Sequence, residues 1–160
     1  MAKKKKTIVD DIYFMMRGVN EDALYATLNL LSDPELTDRD GRTVLINAAF
    51  CGRIDVVHLM LSRGANINAA DSNGFTALHA AVQEQNISMI EMLLANGADI
   101  HARNAFGNNV LMLPKNDCPE KIWKILLANG ADPHVKNNYG ISAADLWQMG
   151  NSSAFLKEYI

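Results

Sequence analysis

Only two cysteines, Cys51 and Cys118, occur in the 160 residues of this chain. That is too few for a disulfide framework, and it points to a reducing compartment, with the cytoplasm as the expected location. No apolar run reaches the length of about 18 residues that a membrane-crossing helix needs, so no membrane association is expected. The opening stretch MAKKKKTIVDDIYF carries lysines, but Asp10 and Asp11 interrupt the apolar core that a secretory signal would require.

Catalytic signatures are missing as well. No HExxH, GxSxG, GxxxxGK[ST] or GxGxxG occurs. The four histidines, His58, His79, His101 and His134, lack the paired spacing with each other or with cysteine that a zinc site shows, so neither metal nor cofactor is expected. Basic charge is scarce outside the first residues. The net charge is −3, from 15 Lys and Arg against 18 Asp and Glu, and without Lys3–Lys6 the balance is 11 − 18 = −7. An acidic body argues against nucleic acid, whose binding rests on phosphate neutralisation, and suits a basic partner. The lysine run reads as a solvated tail over residues 1–7, with a nucleic-acid or localisation role as the alternative.

What the chain does have is repetition. The heptapeptide LLANGAD stands at 93–99 and again at 126–132, with a looser copy, LMLSRGAN, at 59–66. Gly41, Gly74, Gly107 and Gly140 recur every 33 residues, as do Gly64, Gly97 and Gly130. The repeating units are 38–70, 71–103 and 104–136. Each opens with D/N-x-x-G, a turn whose glycine tolerates positive φ, and Thr43, Thr76 or Ser142 then caps a short apolar helix. A break follows, then a second helix with apolar residues at three- and four-residue spacing, as in Ile87, Ile90, Leu93 and Leu94. The Gly of the GAD-type ending stops that helix as a left-handed cap. Residues 8–37 read as a degenerate first unit, with Ala23, Leu24, Leu28 and Leu31 on a helical apolar face. Residues 137–160 read as a closing unit, with NSSAFLKEYI as its second helix; end units of a stack are atypical because one face meets water.

DxxGxTxLHAA at 71–81, DxxGxTxL at 38–45 and xxLLxxGADxxxx at 91–103 and 124–136 resemble the ankyrin repeat, over roughly residues 38–149. The resemblance implies an all-α solenoid in which antiparallel helix pairs stack in a row and the turns project as fingers. It implies that His79 bonds its loop and holds the repeat's shape, and that the function is protein binding without catalysis. Stand-alone chains of this type also resemble bacterial immunity proteins, and a basic toxin or enzyme would then be the partner. The alternatives are an adaptor or scaffold, or a secreted host-directed effector. A monomer is expected.

In such proteins the residues flanking the turn glycine point outward. Here they are Arg39, Asp40 and Arg42; Ser72, Asn73 and Phe75; Ala105, Phe106 and Asn108; and Asn138, Tyr139 and Ile141. Phe75, Phe106 and Tyr139 are either binding anchors or rings folded back over the next finger. A second row comes from the ends of the first helices: Phe50, Gln83, Glu84, Asn116 and Asp117. The third unit departs from the pattern, with Pro114-Lys115 where its neighbours have Ala48-Ala49 and Ala81-Val82. Proline there shortens or displaces the first helix. The result is either drift tolerated by the stack or a reshaped binding patch. Trp147 stands at the position of Ala48 and Ala81, either filling the space so left or capping the stack. Trp123 is expected to pack in an amphipathic helix, and the methionines to fill the core.

Overall fold

A computed structural model describes residues 6–114, 119–149 and 156–157. The described residues form eight α-helices and one 3₁₀ turn, and no sheet. The helices are α1 Ile8–Met16, α2 Glu21–Leu30, α3 Val44–Cys51, α4 Ile54–Ser62, α5 Ala77–Gln83, α6 Ile87–Ala95, α7 Glu120–Ala128 and α8 Ala143–Met149. They pack as successive pairs: α1 on α2, α3 on α4, α5 on α6. The first helices of the pairs, α1, α3 and α5, stack side by side as an inner row.

Each inner helix starts where a hydroxyl satisfies an orphan backbone donor. Thr43 Oγ1 accepts from the Ile46 N–H, and Thr76 Oγ1 from the His79 N–H. Thr7 does the same for α1, with Asp10 reaching back to the Thr7 N–H at 2.7 Å to close a capping box. Ser142 and Asp145 repeat that box at α8. At the far end of each unit the GAN or GAD sequence works as a Schellman stop. Ala65, Ala98 and Ala131 N–H groups reach back to the carbonyls of Met60, Leu93 and Leu126.

The core runs continuously through the stack. Leu24, Leu28, Leu45, Met60, Leu78, Met89, Leu93, Leu111, Ile122 and Leu126 are buried within it. Small residues on the inner helices, Ala48, Ala49, Ala80 and Ala81, let neighbouring units approach closely. On the outer side Arg53 bridges Glu21 at 2.8 Å and Asp55 at 2.6 Å, and the Tyr25 hydroxyl donates to Asp55 at 2.6 Å. This cluster joins α2 to the start of α4.

The third unit shows what Pro114 does. Where α3 and α5 stand in their units, the described residues form only the three-residue 3₁₀ turn Val110–Met112, capped by Asn109. A proline one turn further on cannot donate the bond that would extend it. Trp147 stands on α8 and belongs to the buried core. It is 7% exposed and meets Trp123 edge to face at 5.2 Å between ring centroids. Both tryptophans are therefore packing residues. Residues 115–118, with the candidates Asn116 and Asp117 and the second cysteine, Cys118, lie outside the described residues. So do Lys3–Lys5 and most of the expected closing helix, of which Leu156 is seen buried in the core.

Candidate partner-binding cleft

Four turns of one construction form the fingers, at 38–42, 71–75, 104–108 and 137–141. In each, the N–H of the first residue bonds the carbonyl of the fifth, at 2.8–3.0 Å. The side chain of the leading Asp or Asn accepts two further N–H bonds. Asp71 Oδ1 takes those of Asn73 and Phe75, and Asn104 Oδ1 those of Phe106 and Asn108. That is why the sequence allows only Asp or Asn there.

Backbone bonds then tie finger to finger. Ser72 N–H donates to Asp40 at 3.1 Å, Ala105 N–H to Asn73 at 2.8 Å, and Asn138 N–H to Phe106 at 3.0 Å. The close approach explains the turn glycines. At Gly74 (φ +74°) a Cβ would sit 2.9 Å from the Ala105 nitrogen. The fingers are a rigid, hydrogen-bonded row.

The second finger is held from beneath by His79. Its Nδ1 accepts the Thr76 N–H at 3.2 Å, and its ring lies 5.3 Å from that of Phe75. The imidazole is fully buried, and burial pushes its pKa down to about 4, so it is neutral at physiological pH. Its role is structural.

In the angle between fingers and inner helices lies a cleft of about 510 Å³. Tyr13 of α1, Phe50 at the end of α3 and Gln83 at the end of α5 form one wall; Arg42, Asp71, Asn73, Phe75 and Phe106 form the other. A second cleft of about 410 Å³ adjoins it across Tyr13 and Phe50, and adds Met16, Arg17, Cys51 and Glu84. The Cys51 thiol there is shifted up by burial, the reverse of what a nucleophile needs. Among the described residues no group of three or more metal-ligating side chains converges.

The expected site residues divide into those the cleft gathers and those it does not. Arg42, Phe50, Asn73, Phe75, Gln83 and Phe106 come together in the larger cleft, and Glu84 lines the smaller one. The three finger aromatics do not form one row. Phe106 is 51% and Tyr139 70% exposed at finger tips, whereas Phe75 is half-buried against His79. The difference follows from position: Phe106 and Tyr139 precede their glycines, and Phe75 follows its own.

Arg39 is drawn away to the buried carboxylate of Asp10, at 2.9 Å; burial pushes that carboxyl up, but the Thr7 N–H bond and then the Arg39 ion pair hold it below the ordinary carboxylate value. Asp40, Ser72 and Ala105 are exposed on the fingers. Asn138 Nδ2 bonds the Ala105 carbonyl at 3.0 Å, and Asn108 accepts from Asn137. Ile141 is half-buried beneath the last finger.

Sequence reasoning missed Tyr13 and Asp71. Tyr13 was hidden because α1 is out of register: its cap, Thr7, precedes Thr43 by 36 residues, whereas Thr43 precedes Thr76 by 33. Asp71 was visible as a turn former only.

Compared with known families, the chain matches the one described as Ankyrin repeats (3 copies) over residues 15–104, more than half its length. No curated protein matches it.

Proposed function

The chain belongs to the ankyrin-repeat family, and from that premise we propose that it is a non-catalytic module holding one protein partner in the cleft between fingers and inner helices. The observation that carries this is the gathering of Tyr13, Phe50, Phe75 and Phe106 around one open cleft of about 510 Å³. Aromatic anchors dominate protein interfaces, and side chains already fixed on rigid elements lose little freedom on binding. Phe106 and Tyr139 extend the surface along the finger tips.

In its finer form the proposal is an inhibitor: a cytoplasmic, monomeric immunity-type protein that covers a basic toxin or enzyme. The net charge of −3, which becomes −7 without Lys3–Lys6, supports it, because opposite potentials speed encounter. The alternative is an adaptor or scaffold, or a host-directed effector, which would hold several partners. Affinity capture from the native cell distinguishes these. Wild type is compared with a variant carrying Phe75→Ala, Phe106→Ala and Tyr139→Ala. One abundant basic enzyme, silenced by the wild-type chain at stoichiometric amounts and lost from the variant, is the inhibitor's result. Several partners favour the adaptor. Partners retained equally by the variant contradict the cleft as docking surface.

A further inference from the structure

Arg42, in the finger-side wall of the cleft, has an unusual setting. Its guanidinium stacks on the Phe50 ring, 4.7 Å from the centroid, and its Nε donates to Asp71 Oδ2 at 3.3 Å. The Asp71 side chain is 1% exposed and that of Arg42 29%. The two Nη atoms have no partner among the described residues, and Arg42 lines the cleft.

The fold does not need this ion pair. In the same register two fingers along, Asn137 donates from Nδ2 to Asn108 Oδ1 at 2.8 Å, tying finger to finger with neutral amides. Nor does the turn need a carboxylate, since Asn104 and Asn137 accept the same turn bonds as Asp71. Between the first two fingers the chain places instead a planar cation that lies over an aromatic face, lines the cleft and keeps both Nη atoms without a partner among the described residues. That geometry suits bidentate recognition of a carboxylate. Tyr13 lines the same cleft, and its hydroxyl accepts from Arg17 Nη1 at 3.1 Å, which leaves its own proton to donate. Glu84, the other acid near these rings, lines the adjoining cleft.

Resting on the reading that the cleft is the docking surface, we propose that it takes a partner segment presenting a carboxylate. The Arg42 fork and the Tyr13 hydroxyl hold the carboxylate, and Phe75 and Phe106 receive the neighbouring apolar side chain. The overall negative charge of the chain acts on encounter at long range; Arg42 acts on register at contact.

The test is selection from a displayed library of random linear peptides on the full chain, followed by affinities of the synthetic winners. Winners are expected to share an Asp or Glu next to an aromatic or branched residue. Arg42→Gln, and separately the peptide's acid changed to its amide, each weaken binding roughly tenfold or more, and the two losses do not add. Arg42→Lys, which keeps the charge, falls between. Asp71→Asn is the discriminating variant. It preserves the turn, but its Nδ2 faces the Arg42 Nε–H donor to donor, so the guanidinium is held by the Phe50 ring alone and binding falls clearly less than in Arg42→Gln, whereas a purely structural pair would make Arg42→Gln and Asp71→Asn fail together. That joint failure, or winners that need Phe75 and Phe106 but carry no acid, overturns the carboxylate proposal alone. Winners indifferent to Phe75→Ala with Phe106→Ala, or no winners, overturn the cleft reading as well.

Discussion

Lowering the pH should loosen this protein through a single side chain, His79. Of the four histidines it alone is buried. Its pKa in the fold is about 4, against 6.5 for the unperturbed group, and the main cause is desolvation. The folded protein thus keeps the ring neutral over a range in which the unfolded chain binds a proton. The stability due to this difference is complete above pH 6.5 and is lost as the pH falls toward 4. At roughly 1.4 kcal/mol per pH unit, the shift from 6.5 to about 4 corresponds to a loss of about 3 kcal/mol, of which about 2 falls between pH 7 and pH 5.

Urea unfolding at pH steps from 7 to 5 measures it, above the range where the carboxylates of Asp10 and Asp145, both held below the ordinary value, begin to contribute. His79→Leu should be less stable at pH 7 by about 1–3 kcal/mol, because the Thr76 N–H loses its acceptor inside the fold. The same variant should lose most of the slope with pH. A wild-type stability that is flat from pH 7 to 5, or a slope unchanged in the variant, would refute the reasoning.

Two further outcomes test the packing. Trp147→Ala removes a buried ring that stands where α3 and α5 pack with alanine, and should cost about 3–5 kcal/mol in chemical denaturation. The emission of Trp123 should shift to the red as its partner leaves. Gly74→Ala and Gly97→Ala both place an alanine at positive φ, but only the first drives its Cβ against backbone, 2.9 Å from the Ala105 nitrogen. Gly74→Ala should therefore be the more destabilising by about 1–3 kcal/mol, read from paired melting curves; equal losses would mean that the fingers are not locked together.

The units were legible because a fixed period makes each signal appear several times. The turn residue at Asp38, Asp71, Asn104 and Asn137, the caps at Thr43 and Thr76 and the stops at Gly64, Gly97 and Gly130 all recur, and each has one local physical cause. The role of His79 was implied by the resemblance to the ankyrin repeat and not by the period, since Ile46 and Met112 stand at its position in the neighbouring units. The damage done by Pro114 was legible because proline's missing donor acts wherever it stands.

The cleft was only half legible. Alignment on the period supplied Arg42, Phe50, Asn73, Phe75, Gln83 and Phe106. It could not show that Phe75 turns inward while Phe106 and Tyr139 stay out, because that depends on which side of the glycine each stands. Tyr13 escaped since its helix lies off the period. The Arg42 stack on Phe50 escaped because it joins a finger to a helix end through space, and neither residue has a like neighbour at the same position in the next unit.

The central claim is that the cleft between fingers and inner helices is where the partner sits. Backbone amide hydrogen exchange on the free chain and on its complex with the captured partner tests it most directly, since it needs no mutation. The account predicts slowed exchange at 72–75 and 105–108 and at the ends of α1, α3 and α5 nearest the cleft, with α4, α6 and α7 unchanged. Protection confined to those outer helices would contradict it.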